Sequence, residues 1–342
     1  MYLICNRITR SQVTGLKVFA FSYRDFDEGE FFQQGAKEYG IELSYTADPP
    51  SLENCELVKG CPYVSVMTTP VNAELLDRFK ELGVKMISTR SIGYNHIDVD
   101  HAKEIGIVVN HINYDSNGVA EFVVMDMLMA VRRIKEINAR TMKGDFRLNG
   151  IMSEELRNKK VGIIGAGIIG IQVLRDLSGF GCELFYYNRS RKEEADRYAK
   201  YLSLEELLTT CDVISLHLEL NAETHHFMDA EKLAKMKKGS ILVNTSRGPV
   251  VDNKALIESL ESGHLSAAAL DVIEDEFNMY YMDRSDMDLT DHYIGKFRSM
   301  PNVIFSHHIA FYYRNAIMGM VLNSLRSLKA LAEGEEVPYR VA

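Results

Sequence analysis

A chain of 342 residues, 46% hydrophobic and 25% charged, is long enough for two domains and apolar enough to give each a core, which excludes a disordered or fibrous protein. Lys plus Arg number 39 against 48 Asp plus Glu, and the net charge of −9 argues against a nucleic-acid or anionic-membrane partner and for a small molecule. Cys5, Cys55, Cys61, Cys182 and Cys211 are odd in number and lack paired short spacings, and neither a signal pattern nor an apolar run of membrane length is present, so a reducing, cytoplasmic location is expected.

Residues 1–15 precede the first strand and receive no role. Short β-rich runs then alternate with helical patterns, the mark of βαβ units and parallel sheets. The first set comprises strands at 16–21, 41–45, 63–67, 84–88 and 105–110, with helices over 30–39 and 72–82 stopped by Gly40 and Gly83. Residues 116–137 read as one helix with Ser116 and Asn117 as cap candidates and almost no polar side before Arg132, so it must be buried. Its Met125, Met127 and Met129 read as core or subunit contact. The second set has six strands, at 161–165, 183–187, 212–218, 240–244, 267–272 and 302–306, with helices over 168–178 and 252–262. A last helix over 316–331 has no strand left to serve in the second set. The second domain is therefore an insertion in the first, with residues 1–110 and 308–342 forming one domain and 111–307 the other.

Gly165-Ala-Gly167-Ile168-Ile169-Gly170 is GxGxxG between a strand and a helix. Gly165 permits a tight turn, Gly167 a close backbone approach to a pyrophosphate, and Gly170 close helix–strand packing. The helix N-terminal amides then face the anion. About 20 residues on, where an acidic residue would select NAD by its ribose hydroxyls, stands neutral Asn188, followed by Arg189, Ser190 and Arg191. The run reads either as a site for the 2′-phosphate of NADP(H), with NAD(H) still usable, or as the solvated start of a helix.

NTSRGPVVD (244–252), LDVIEDE (270–276) and SHHIAFY (306–312) fall at strand ends and supply an arginine, a carboxylate for which Glu276 is a candidate, and a histidine. A 2-oxo acid needs that trio. A guanidinium pairs with its carboxylate and polarises the adjacent carbonyl, an imidazole delivers the proton, and a carboxylate orients the ring and favours imidazolium.

In this order the motifs resemble the D-2-hydroxyacid dehydrogenase family in its D-lactate dehydrogenase branch, over nearly the whole chain after residue 15. KMISTRSIGYNHID (85–98), GDFRLNG (144–150) and YYNRSR (186–191) look like the D-lactate dehydrogenases of vancomycin-resistance gene clusters. The resemblance implies an α/β protein of two doubly wound parallel-sheet domains, a Rossmann cofactor domain inserted into a flavodoxin-like substrate domain. It implies that Arg247 binds the substrate carboxylate, Glu276 partners the catalytic His308, and Asp271 contacts the nicotinamide carboxamide. Ile92-Gly93 matches the loop whose amides bind the substrate carboxylate, and Tyr114 a substrate-pocket tyrosine. Leu218, Glu219, Thr245 and Ser246 fall among the cofactor positions. Two departures stand out: His217-Leu218-Glu219 replaces a common His-x-Pro, and His111-Ile112-Asn113 replaces Val-Pro-Ala. His307 stands where proline is common and reads as packing or hinge.

The expected activity is stereospecific, reversible reduction of a 2-oxo acid, first of all pyruvate to D-lactate, by a homodimer formed through the 116–137 helix and its neighbours. A bulkier oxo acid, such as phenylpyruvate or 2-oxoisocaproate, is the second reading. A dinucleotide-sensing regulator is the third, opposed by an aligned acid–base pair that a sensor does not need. His225-His226, without a nearby carboxylate or cysteine set, reads as loop surface, and no metal is expected.

Overall fold

The structure, a computed structural model, describes residues 15–276 and 279–342; the unassigned extension, apart from Gly15, lies outside them. The chain divides into two compact units, one of residues up to Asp115 together with Tyr313–Ala342, the other Ser116–Tyr312. The crossings thus fall after Asp115 and Tyr312 rather than after residues 110 and 307. No described helix is long and apolar enough to cross a membrane.

The first unit runs β1 (Leu16–Ala20), α1 (Gly29–Tyr39), β2 (Ile41–Tyr45), β3 (Tyr63–Val66), α2 (Ala73–Glu81), β4 (Met86–Thr89), α3 (Val99–Ile105) and β5 (Val108–Asn110). Its strands are all parallel in the order β2-β1-β3-β4-β5, the flavodoxin-like arrangement. Phe19, Val64, Val66, Ile87 and Val109 meet Leu76 and Phe79 of α2 on one face. A helix over Arg314–Ala332 packs against α1, β3 and β4, and Ser324 Oγ hydrogen-bonds Ser65 Oγ at 2.8 Å.

The second unit opens with α4 (Asn117–Val131) and α5 (Ile134–Met142), two helices where the sequence reads one. The break is at Arg133, held in the left-handed region at φ 54. Ser116 is the N-cap of α4 but makes no side-chain cap hydrogen bond. Then come β6 (Lys160–Ile164), α6 (Ile168–Leu177), β7 (Glu183–Tyr187), β8 (Lys200–Tyr201), α7 (Leu204–Thr210), β9 (Val213–Leu216), α8 (Ala230–Lys235), β10 (Ile241–Asn244), α9 (Asn253–Glu261), β11 (Ala267–Leu270), α10 (Tyr293–Ser299) and β12 (Val303–Phe305). The parallel sheet has seven strands, not six, in the order β12-β11-β10-β9-β6-β7-β8. The seventh, β8, is a two-residue edge strand too short to show an alternating pattern.

Both faces of this sheet are covered, so its strands are apolar on both sides. Val161, Ile163, Val213, Val243 and Ala269 pack with α4 and α6, while Ile164, Ile214, Leu242, Ala268 and Leu270 pack with α7, α8, α9 and α10. The register aligns the last residues of six strands in one row, Tyr187, Ile164, Leu216, Asn244, Leu270 and Phe305. Every residue that follows a strand therefore emerges on the same carboxyl edge.

Candidate active site

That edge gathers the second unit's expected site residues: Gly165 follows β6, Asn188 follows β7, His217 follows β9, Thr245 follows β10, Asp271 follows β11, and the His308 segment follows β12. The strand order reverses between β9 and β7 on either side of β6, the switch point where open α/β sheets bind ligands.

At the switch point Gly165 has φ 99, and a Cβ there would lie 2.2 Å from His217 O; a Cβ on Gly170 would lie 2.0 Å from Gly165 O. Both contacts are backbone on backbone, so only glycine fits. Gly167 differs, with nothing within 4 Å of where its Cβ would stand. It is the N-cap of α6 and supplies no side-chain acceptor to the first-turn amides of Ile168, Ile169 and Gly170. An open cradle at a helix N-terminus fits a dinucleotide pyrophosphate. The Thr245 hydroxyl adds a buried oxygen with no hydrogen-bond partner.

Asn188 braces the glycine turn, accepting from Ala166 N at 3.2 Å and donating to Ser190 O at 2.9 Å. Arg189 pairs with Glu223 at 3.0 Å and Arg191 with Asp196 at 2.8 Å, with both arginines and Ser190 exposed. Burial pushes the part-buried His217 imidazole down to about 4, so it is neutral, and its Nε2 lies 3.0 Å from Ser215 Oγ. Leu218 is part-buried, and Glu219 is exposed with its carbonyl accepting from Thr224 Oγ1 at 2.5 Å.

The acid–base residues are held mainly by backbone. Asn244 Oδ1 accepts from Ser246 N and Oγ at 3.0 and 2.8 Å, and Asn244 Nδ2 donates to Arg247 O at 3.0 Å. A Cβ on Gly248 would lie 1.9 Å from Ile273 O, so the Arg247 loop presses on the loop that carries Glu276. Arg247 Nη1 donates to Ser246 O at 2.7 Å. Glu276, 8% exposed, accepts from Ile273 N at 3.1 Å through Oε2, and its Oε1 lies 2.7 Å from His308 Nδ1. With Nδ1 engaged, Nε2 is the nitrogen left for chemistry. His308 has φ 58, held by its N–H to Asp271 O at 2.7 Å and by Tyr281 Oη donating to its carbonyl at 2.8 Å.

The fully buried Asp271 carboxylate accepts from Ser306 Oγ at 2.6 Å, Ile309 N at 2.9 Å and Ala310 N at 3.0 Å, so it braces the His308 segment. Sequence reasoning missed this, and it also missed Asp126, 2% exposed on α4 with Oδ2 unpartnered. Burial, and secondarily the charge of Asp271, pushes the Asp126 carboxyl up to about 8. It further read His225-His226 as lacking a carboxylate. Glu274 corrects that premise, with Oε1 2.6 Å from His226 Nε2 across a gap of 48 residues.

In the first unit, Ile92 and Gly93 follow β4. Ser91 Oγ donates to Gly93 O at 2.7 Å and lies 2.7 Å from Thr89 Oγ1. Fully buried Arg90 anchors the loop's base through Glu28 Oε1 at 3.1 Å, Ser65 Oγ at 3.1 Å and Phe21 O at 3.0 Å. Tyr114 Cβ lies against Gly319, and its side borders a cleft of about 970 Å³ with Asn113, Asn323, Arg326 and Tyr339. Ile92 and Gly93 do not line that cleft.

Comparison with known proteins agrees with this geometry. Residues 124–310 match the family model described as D-isomer specific 2-hydroxyacid dehydrogenase, NAD binding domain. The chain is 37% identical over 302 residues to a D-specific alpha-keto acid dehydrogenase of Enterococcus faecium, covering 88% of this chain and 92% of that one. It is 35% identical over 317 residues to an aromatic 2-oxoacid reductase of Clostridium sporogenes, covering 92% and 96%. A crystal structure of a D-lactate dehydrogenase from Treponema pallidum superposes with a TM-score of 0.86 at 32% identity, over 95% of this chain and 99% of that one.

Proposed function

The chain belongs to the D-isomer specific 2-hydroxyacid dehydrogenase family and is an oxidoreductase with a nicotinamide dinucleotide site; from that premise we propose that it reduces pyruvate to D-lactate, reversibly, with NADP(H) preferred and NAD(H) accepted. The observation that carries the reading is the His308–Glu276 pair at 2.7 Å on the same sheet edge as the glycine cradle and Arg247.

The reduced nicotinamide, when bound, supplies the hydride that the carbonyl carbon receives. His308 gives a proton from Nε2 to the carbonyl oxygen, and the Glu276 carboxylate stabilises the imidazolium that must be present beforehand. Arg247 pairs with the substrate carboxylate and draws electron density from the carbonyl. Asp271 fixes the His308 segment and is assigned to the nicotinamide carboxamide by resemblance. The same resemblance assigns Ile92, Gly93 and Tyr114 to the substrate. Gly165, Gly167, Ile168, Ile169 and Gly170 hold the pyrophosphate, and Leu218, Glu219, Thr245 and Ser246 the rest of the cofactor.

Neutral Asn188 removes the charge that would repel a 2′-phosphate. Arg189 and Arg191 meet their carboxylate partners in exposed, solvent-screened surface pairs, which a 2′-phosphate can displace. Among the described residues Cys55, Cys61, Cys182 and Cys211 are free, which fits a cytoplasmic enzyme. Exposed Met125 on α4, with exposed Met142 at the end of α5 and Phe146, Leu148 and Met152 beyond it, supports a homodimer.

A second reading, reduction of an aromatic or branched 2-oxo acid, is favoured by the aromatic 2-oxoacid reductase relative. The test is kcat/KM for pyruvate, phenylpyruvate and 2-oxoisocaproate with each reduced cofactor, with chiral analysis of product. Phenylpyruvate ahead of pyruvate by tenfold or more replaces the first reading with the second, and an L product overturns both.

A further inference from the structure

We propose that His225, His226 and Glu274 form a binding site for one divalent transition-metal ion of the zinc class. One nitrogen of each imidazole and one oxygen of the carboxylate all lie within 4.8 Å of one another. Consecutive residues in an extended chain send their side chains to opposite sides. Here His226 is left-handed, φ 49, and the two rings instead stack with centroids 4.1 Å apart and planes at 27°. The turn is pinned by backbone: His226 N donates to Pro249 O at 2.7 Å and Met228 N to Val250 O at 2.9 Å.

Glu274 arrives from the loop after β11, its Oε1 2.6 Å from His226 Nε2 and its Oε2 accepting from Asn253 N at 3.0 Å. A carboxylate held on one oxygen presents the other in a fixed direction, as the outer shell of a metal site does. Zinc takes imidazole nitrogen and carboxylate oxygen at about 2.0–2.2 Å, so tetrahedral donors stand roughly 3.4 Å apart, which asks the His226–Glu274 contact to open from 2.6 Å and the wider separations, at most 4.8 Å, to close. Two imidazoles with one carboxylate suit zinc, cobalt or nickel better than magnesium or calcium. Exposed His225 leaves a path for the ion and a fourth position for water. The ion takes the place of the hydrogen between His226 Nε2 and Glu274 Oε1, and the neutral imidazole that binds it carries its hydrogen on Nδ1. Bound there, it ties the 224–228 turn to the segment that ends in Glu276.

The experiment titrates Co²⁺ into the chelator-stripped full chain, reading the visible ligand-field spectrum and the stoichiometry by equilibrium dialysis. One ion per chain is expected, with a tetrahedral spectrum free of thiolate charge transfer. His225→Ala and Glu274→Gln should each weaken binding at least ~10-fold while the metal-free variants keep the parent's melting temperature. If either variant lowers that temperature, His225→Asn, which keeps a polar surface side chain, should show the same loss. No stoichiometric ion, a thiolate band, or binding that these substitutions leave unchanged overturns the site. None of these readouts requires turnover of a 2-oxo acid.

Discussion

Asp126 carries the family-independent prediction with the largest magnitude. It sits in a mostly apolar helix, 2% exposed, with one carboxylate oxygen unpartnered and the Asp271 charge as its neighbour. Its carboxyl rises from 3.8 to about 8 on folding, so folding takes up a proton. The sign follows from linkage: the native state is undiminished by this group below about pH 4, loses stability as pH rises from about 4 to 8, and loses no more above that. At about 1.36 kcal/mol per pH unit the penalty at pH 7 is on the order of 4 kcal/mol, of which about 3 accrue between pH 5 and pH 7. Asp126→Asn removes the titration and leaves every other group in place. Urea unfolding of parent and variant at pH 5, 6 and 7, compared at equal m-value, should show the variant's advantage growing by about 3 kcal/mol across the series. A difference that stays flat to within about 0.5 kcal/mol refutes the inference that a buried, uncompensated carboxyl protonates here.

His308→Ala should lower kcat by at least ~10²-fold with cofactor affinity little changed, measured by steady-state kinetics and fluorescence titration of NADPH. Glu276→Gln removes the charge beside His308 Nδ1 and should lower kcat for reduction with cofactor affinity little changed; an unchanged kcat contradicts the pairing. Arg247→Lys keeps a charge but loses the planar fork, so KM for the oxo acid should rise and kcat fall. For the cofactor, kcat/KM should favour NADPH by about 10- to 100-fold, the scale of charged hydrogen bonds of about 1.5–3 kcal/mol, less what exposure removes. Asn188→Asp should reverse the preference, and Arg189 with Arg191 changed to Ala should abolish it; an unchanged ratio makes the run a solvated helix start. Light scattering should give a dimer that Phe146→Asp with Leu148→Asp dissociates.

Much of this was legible in the sequence because the second unit's strands are short apolar runs ended by glycine or polar residues. The glycine turn announces itself by spacing, the strand ends supply an arginine, acids and histidines, and the family resemblance picks Arg247, Glu276 and His308 among them. Helices α3, α7, α8 and α10 were missed since two turns are too few for a 3.6-residue period to appear. A cap signal was available, with Ser203 and Glu206 forming a reciprocal capping box at α7 and Asp98 and Asp229 accepting from His101 N and Lys232 N. What no local pattern encodes is which distant groups meet. Glu274 beside His226, Asp271 saturated by residues 306–310, and Asp126 turned into the core are each products of the sheet register. Arg133 was hidden for another reason, since a non-glycine residue in the left-handed region leaves no mark in composition.

The split origin of the first unit sets an order of events during synthesis. Ser116–Tyr312 is one uninterrupted stretch, so that unit has all its strands once residue 312 leaves the ribosome. The other unit makes β1 to β5 first, yet the helix over Arg314–Ala332 that covers α1, β3 and β4 is translated only afterwards. At roughly 5–20 residues per second, the roughly 200 intervening residues occupy on the order of 10–40 s, during which Ser65 waits for Ser324 and one face of the sheet stands uncovered. A nascent chain stalled before residue 313 should therefore expose apolar surface to chaperones from the unit that was translated first.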